Sequence, residues 1–91
     1  MTLSSRRRAT LEAVFETPTR GGIRWGEIEA LFEAVGAEIS EGAGSRVRIK
    51  LGDRVSTFHR PHPGKEARKY AVEAARDFLR SQGITPGSVN Q

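Results

Sequence analysis

From Arg46 to Leu51 the chain alternates without a break: Val47, Ile49 and Leu51 are apolar, while Arg46, Arg48 and Lys50 are cationic. A period of two belongs to a strand with one buried face. Gly52-Asp53 then closes a two-residue turn of the primed type, because glycine accepts positive φ without steric cost. Such a turn fixes the register of the returning strand. With Leu51 opposite Arg54, Lys50 faces Val55, Ile49 faces Ser56, Arg48 faces Thr57, Val47 faces Phe58 and Arg46 faces His59. Val47, Ile49, Leu51 and Phe58 then share the inner face with Ser56 and Arg54. Arg46, Arg48, Lys50, Thr57 and His59 share the outer face with Val55. A slip of one residue would recover Val55 for the core but expel Phe58, so this register is the better of the two.

Helices flank the hairpin. Leu11, Val14 and Phe15 fall at helical spacing behind Ser4 or Ser5 as N-cap, which predicts a helix from Ser5 to Glu16 ended by Thr17-Pro18. Residues 18–22 read as a turn. Ile28, Leu31, Phe32 and Val35 predict a second helix stopped by Gly36, entered at Arg24 or Gly26 and anchored by Trp25. Ala37 and Ile39 alternate with Glu38 and Ser40 in a short first strand that ends at Glu41-Gly42. Pro61-His62-Pro63-Gly64 ends the third strand, since proline donates no ladder bond. A last helix starts between Glu66 and Tyr70, carries Ala71, Ala74, Ala75, Phe78 and Leu79 on its apolar side, and stops at Gly83. Residues 85–91 read as a frayed, flexible tail. The order α-α-β-β-β-α predicts an α+β fold, a three-stranded antiparallel sheet with helices packed on one face. A chain of 91 residues allows one such core.

The other face of the sheet meets solvent, which is ordinary for antiparallel strands. A row of Arg46, Arg48, Lys50 and His59 on it is less ordinary, because like charges in neighbouring positions repel. Charge also protects edge strands from aggregation, but a residue or two would serve for that. Here the basic run continues through Arg60, His62, Lys65, Arg68 and Lys69 into the last helix. The balance of 15 Lys+Arg against 11 Asp+Glu, a formal charge of +4, suits a polyanionic partner. Alternate strand residues lie about 7 Å apart, close to the phosphate spacing of a nucleic-acid strand, so the ladder can follow a backbone. Amides at a helix start, with glycine and basic side chains nearby, add phosphate contacts. Arg46, Arg48, Lys50, Arg60, His62, Lys65, Arg68 and Lys69 are therefore the expected nucleic-acid-binding set.

His59 and His62 are the two histidines of the chain. Imidazole is the side chain best matched to acid–base work at neutral pH. RNA cleavage needs a base for the 2′-hydroxyl, an acid for the leaving oxygen and cations for the phosphorane. The plainer alternative for each is a surface histidine bonded to a backbone carbonyl. Two histidines without a matched carboxylate cluster give too few ligands for a metal. No cofactor motif is present either, because Gly42-Ala43-Gly44-Ser45 lacks the lysine and the strand-to-helix setting of a P-loop. The absence of cysteine excludes disulfides and thiolate sites. No apolar run approaches the roughly 18 residues of a membrane span, and the basic stretch Met1 to Arg8 is not followed by an apolar signal core. The expectation is a cytoplasmic domain without membrane contact.

Taken in order, a helix ending in Val35-Gly36, a strand, Gly44-Ser45 opening the next strand, a third strand leading to Pro61-His62-Pro63, and a closing helix with Leu79-x-x-x-Gly83-Ile84 form a familiar pattern. Residues 23–84 resemble the HicA family, small toxins of type II toxin-antitoxin systems with a double-stranded-RNA-binding-like fold. Residues 1–22, the first helix and its turn, lie outside the resemblance, as does the tail. The resemblance implies an mRNA interferase, an endonuclease that hydrolyses translated RNA without metal or cofactor and is silenced by a HicB-like antitoxin. It also implies a catalytic histidine directly after Gly-Ser, where this chain has Arg46. Arginine is no base at neutral pH, since its pKa lies above about 12. In the inferred register His59 sits opposite Arg46 on the same face and becomes the candidate catalytic residue, with Arg46 and Arg48 stabilising the phosphorane and His62 positioning the loop. The other expectation is a non-catalytic RNA-binding or antitoxin-binding module that keeps the fold and the basic face.

Overall fold

A computed structural model describes residues 2–89. Six elements follow the predicted order: α1 (Ser5–Val14), α2 (Trp25–Ala34), β1 (Glu38–Glu41), β2 (Arg46–Leu51), β3 (Arg54–His59) and α3 (Lys69–Ser81). The sheet is antiparallel with order β1-β2-β3, so the alternating strand is central. Every predicted partner of the hairpin is met, from Leu51 opposite Arg54 to Arg46 opposite His59. Gly52 turns with φ 63°, as the primed turn requires. Val47, Ile49, Leu51 and Phe58 are buried, while Arg46, Arg48, Lys50, Thr57 and His59 are exposed, and so is Val55 at 49%.

Phe58 explains why the register holds. Its ring lies 5.4 Å from Trp25, 5.8 Å from Phe32 and 6.4 Å from Phe78, centroid to centroid, so it joins β3 to α2 and α3 at once. Moving it to the outer face would forfeit about 3–5 kcal/mol of aromatic burial. Around these rings lie Ile28, Leu31, Ile49, Val72 and Leu79 in one continuous core.

The helix ends are where expectation and structure part. Ser4 caps α1 by accepting the Arg7 N–H at 3.2 Å, but the helix closes at Val14, short of Glu16. Pro18 has no N–H to offer the Val14 carbonyl, so the ladder stops there, and Arg76, a buried arginine of α3, takes over the open end. Its guanidinium donates to the carbonyls of Val14 at 2.9 Å and Glu16 at 3.0 Å, and to Thr19 Oγ1 at 3.1 Å. Carbonyls at a helix C-terminus have no intrahelical donor and attract a cation, and Arg76 caps these. Leu3, Leu11, Ala13 and Val14 enter the same core as the sheet, so α1, packed on α2 and α3, is part of the domain. On α3 the buried arc centres on Ala75 and Leu79 and takes in Val72 and Arg76, whereas Ala74, expected on the apolar side, is exposed at its margin. Residues 85–91 were expected to fray. As far as they are described they turn instead: Ser88 Oγ accepts the Thr85 N–H at 2.8 Å, and Val89 is buried in the core. Asn90 and Gln91 lie outside the described residues. No helix among the described residues is long and apolar enough to cross a membrane.

Candidate nucleic-acid interface

The outer face is built in three rows across the sheet. β1 pairs Glu38 with Lys50 and Ser40 with Arg48, and β2 pairs Lys50 with Val55, Arg48 with Thr57 and Arg46 with His59. Near the hairpin turn the row is therefore Glu38, Lys50, Val55, and its charge is offset. In the middle it is Ser40, Arg48, Thr57. At the far end Arg46 lies between His59 and Gly42, whose Cβ position would come within 3.0 Å of the Arg46 Cβ, so no side chain screens it on that side. Among the described residues, Arg46, Arg48 and Lys50 form no salt bridge. Positive potential thus rises along the face toward the corner that holds His59.

At that corner the strand runs into a loop pinned at both ends. The Arg60 N–H donates to the Ser45 carbonyl at 2.9 Å, extending the hairpin by one bond. Beyond the prolines, the Trp25 N–H donates to Lys65 O at 2.9 Å and the Ala67 N–H to Ile23 O at 2.7 Å, a short antiparallel bridge. Between these fixed points His62 is held against a cleft of about 410 Å³, which Ser45, His59, Arg68 and Tyr70 also line over a floor of Trp25, Ala67 and Ala71. A second cleft of about 480 Å³ lies on the other side of the loop, lined by Arg24, His62, Lys65, Glu66 and Arg68. His62 and Arg68 belong to both. The fold therefore brings together His59, His62 and Arg68 at one mouth, with Arg46 across the hairpin from His59 and Lys65 behind the loop. Lys69 lines neither cleft; its chain runs past Gly21.

Arg60 stands apart from the expected binding set. Its guanidinium donates through Nε to Glu29 Oε2 at 2.7 Å and through Nη2 to Glu29 Oε1 at 3.2 Å. Its contacts with Glu41 are 2.5 and 2.9 Å. The Trp25 indole N–H donates to the same Glu29 carboxylate. Hydrogen bonds to Glu41 and then to Glu29 raise the guanidinium pKa further above its ordinary value, and the bond from Arg60 holds the Glu41 carboxyl below the ordinary range. With both edges on carboxylates, Arg60 clamps the histidine loop to α2 and β1 and leaves little charge for a phosphate. Glu41 pairs with Val47 at the end of β1 but stays exposed, so nothing local in the sequence signals that Arg60 is held by carboxylates. Tyr70 was also missed as a site residue, since it entered the sequence reading only as a helix boundary. Among the described residues no cluster of three or more His, Cys, Asp or Glu side chains is placed to hold a metal ion.

A family model described as the HicA toxin of bacterial toxin-antitoxin matches residues 25–84, about two thirds of the chain. The match opens at the first residue of α2 and ends just past α3, so it covers the sheet, the clamp and, except for Arg24, both clefts, and leaves α1 outside. No curated protein and no solved structure matches the chain.

Proposed function

Because the chain belongs to the HicA toxin family of bacterial toxin-antitoxin systems, we propose that it binds RNA along the Arg46–Arg48–Lys50 face and cleaves it, without a metal, at the cleft of His59 and His62. Membership makes it the toxin of such a system, with an antitoxin as protein partner. A HicB-like identity for that antitoxin, mRNA as the target and the cytoplasm as the setting belong to the proposal.

One observation carries it: the chain's two imidazoles line one cleft, beside Ser45 and Arg68. In RNA cleavage the 2′-oxygen attacks the adjacent phosphorus, forming the 2′-O–P bond as the P–O5′ bond breaks. One neutral imidazole accepts the 2′-hydroxyl proton, and a protonated one gives a proton to the departing 5′-oxygen, so protons balance across the step. His59, opposite Arg46, takes the base role, and His62 in its pinned loop serves as the acid or holds the phosphate. Arg46 and Arg68 supply positive charge where the phosphorane gathers negative charge, the contribution of an oxyanion site. Nothing in this step draws on a metal or cofactor.

Purified protein should cleave RNA in EDTA, and His59→Ala should reduce the rate by about 10²–10⁴, the usual worth of a positioned acid or base. Undiminished cleavage by His59→Ala removes His59 from the mechanism. Arg46, standing where the family places its histidine, favours a second reading, a module that binds RNA or antitoxin without cleaving. Tight RNA binding with no cleavage by the wild-type chain selects that reading.

A further inference from the structure

Six aromatic side chains are present, and five are accounted for by packing. Trp25, Phe32, Phe58 and Phe78 form the core, and half-buried Phe15 is covered by the Arg80 guanidinium, 5.5 Å from its ring centroid. Tyr70 is 61% exposed, and among the described residues its side chain has no ring partner and no hydrogen bond. It is the second residue of α3. Helical side chains lean toward the N-terminus, so its ring extends past the start of the helix. There it joins Arg68, His62, His59 and Ser45 around the cleft.

We propose that Tyr70 is a stacking platform for an unpaired nucleobase, which makes single-stranded RNA, rather than duplex, the ligand of the cleft. The inference rests on the RNA-binding reading and adds to it the substrate class. A flat aromatic face open to solvent beside cations is what an extruded base requires: the ring takes the base while the cations take its phosphate. Within a duplex every base face is already stacked, so an A-form helix would meet the basic face but leave Tyr70 uncovered. The sheet face alone makes no such distinction, because phosphate contacts follow charge and not base exposure.

The test measures binding of a short, unstructured 2′-O-methyl RNA, which keeps bases and phosphates but cannot be cleaved. Tyr70→Ala should weaken affinity about 5- to 100-fold with an unchanged salt slope, while Tyr70→Phe binds like the wild type. Replacing one nucleotide by an abasic unit should reproduce that loss in the wild type and add little to Tyr70→Ala, the coupling expected of a contacting pair. Tyr70 is exposed, so folding is not at risk, and circular dichroism of each variant verifies this. If wild-type protein binds and Tyr70→Ala binds equally well, or a duplex of the same sequence binds as tightly as the single strand, the platform is overturned while RNA binding stands. Failure of the wild type to bind RNA in any form overturns the RNA reading and the platform with it.

Discussion

Replacing Arg60 by alanine separates two roles that the sequence treats alike. Arg60 and Arg48 are both arginines of the basic hairpin, yet only Arg60 is bound to carboxylates. Its side chain is 33% exposed and that of Glu29 is 19% exposed. Arg60→Ala leaves the Glu29 carboxylate largely buried with the Trp25 indole as its remaining partner. A fully buried pair broken in this way costs about 3–5 kcal/mol, and a hydrogen bond to a charged group contributes about 1.5–3. Partial solvent access places Arg60→Ala at about 2–3 kcal/mol, since water re-solvates part of the orphaned charge. For a domain of this size that corresponds to a fall in Tm of roughly 10–20 °C. The Glu41 arm adds little, because that carboxylate side chain is 69% exposed and screened.

Thermal or urea unfolding of Arg60→Ala, Arg60→Lys and Arg48→Ala, paired with RNA binding at several salt concentrations, gives the comparison. Arg48→Ala should stay within about 0.5 kcal/mol of wild type in stability and lose about one unit of salt slope. Arg60→Ala should show the reverse, and Arg60→Lys should fall between, since an ammonium cannot reproduce the paired contacts. Wild-type stability in Arg60→Ala together with a flattened salt slope would refute the clamp and return Arg60 to the phosphate-binding set.

Two further outcomes follow from the remaining ion pairs and from Arg76. Arg76→Met keeps the apolar stem but removes the donors to Val14 and Glu16, and should cost about 3 kcal/mol; limited proteolysis should then cut the 15–24 segment first, and an unchanged cleavage pattern would mean that the guanidinium does not hold α1. Hydrogen bonds from Arg60 and Arg6 pull the Glu41 and Glu27 carboxyls below their ordinary value of 4.5. A depressed folded-state pKa adds stability that is complete above the unfolded value and is lost as pH falls through the folded one. The melting temperature should therefore decline below about pH 4.5, less steeply in Glu41→Gln, with equal slopes arguing that the pair contributes nothing.

The hairpin was legible because three local signals agree: a period of two, a glycine turn and one large aromatic whose inward position is decided by size. Each acts within a few residues, so sequence alone ranks the registers. Arg60 and Arg76 were not legible for the opposite reason. Their roles depend on partners 19 to 62 positions away, Glu29 and Glu41 for one and the carbonyls of Val14 and Glu16 for the other. Arginine read locally is a surface cation, and only the fold converts it into a clamp or a helix cap. Tyr70 was obscured by its place at a helix start, where boundary assignment takes precedence over the question of what a ring can touch. The tail was misread because Pro, Gly, Ser and Asn describe a turn as well as they describe disorder, and the buried Val89 settles which.

Under the proposed function, Arg46 standing where the resemblance implies a histidine counts less against cleavage than its chemistry suggests. Opposed residues in an antiparallel pair hold their Cβ atoms about 4.5–5.5 Å apart on one face, within the reach of either side chain. Arg46 and His59 are such a pair, and His59 is the one that lines the cleft. A phosphoryl-transfer step requires an imidazole and a cation within reach of one phosphate, not a particular strand of origin for either. The hairpin supplies both, in an order reversed across the ladder. Gly42 leaves the Arg46 side free of bulk, and the pinned loop places His62 on the same cleft. On the proposed mechanism the reversal moves the base from the central strand to the strand that leads into that loop. His59 and His62 then depend on a common anchor, the Arg60 clamp, and a variant that loosens the clamp should lower cleavage by more than the loss of one cation can account for.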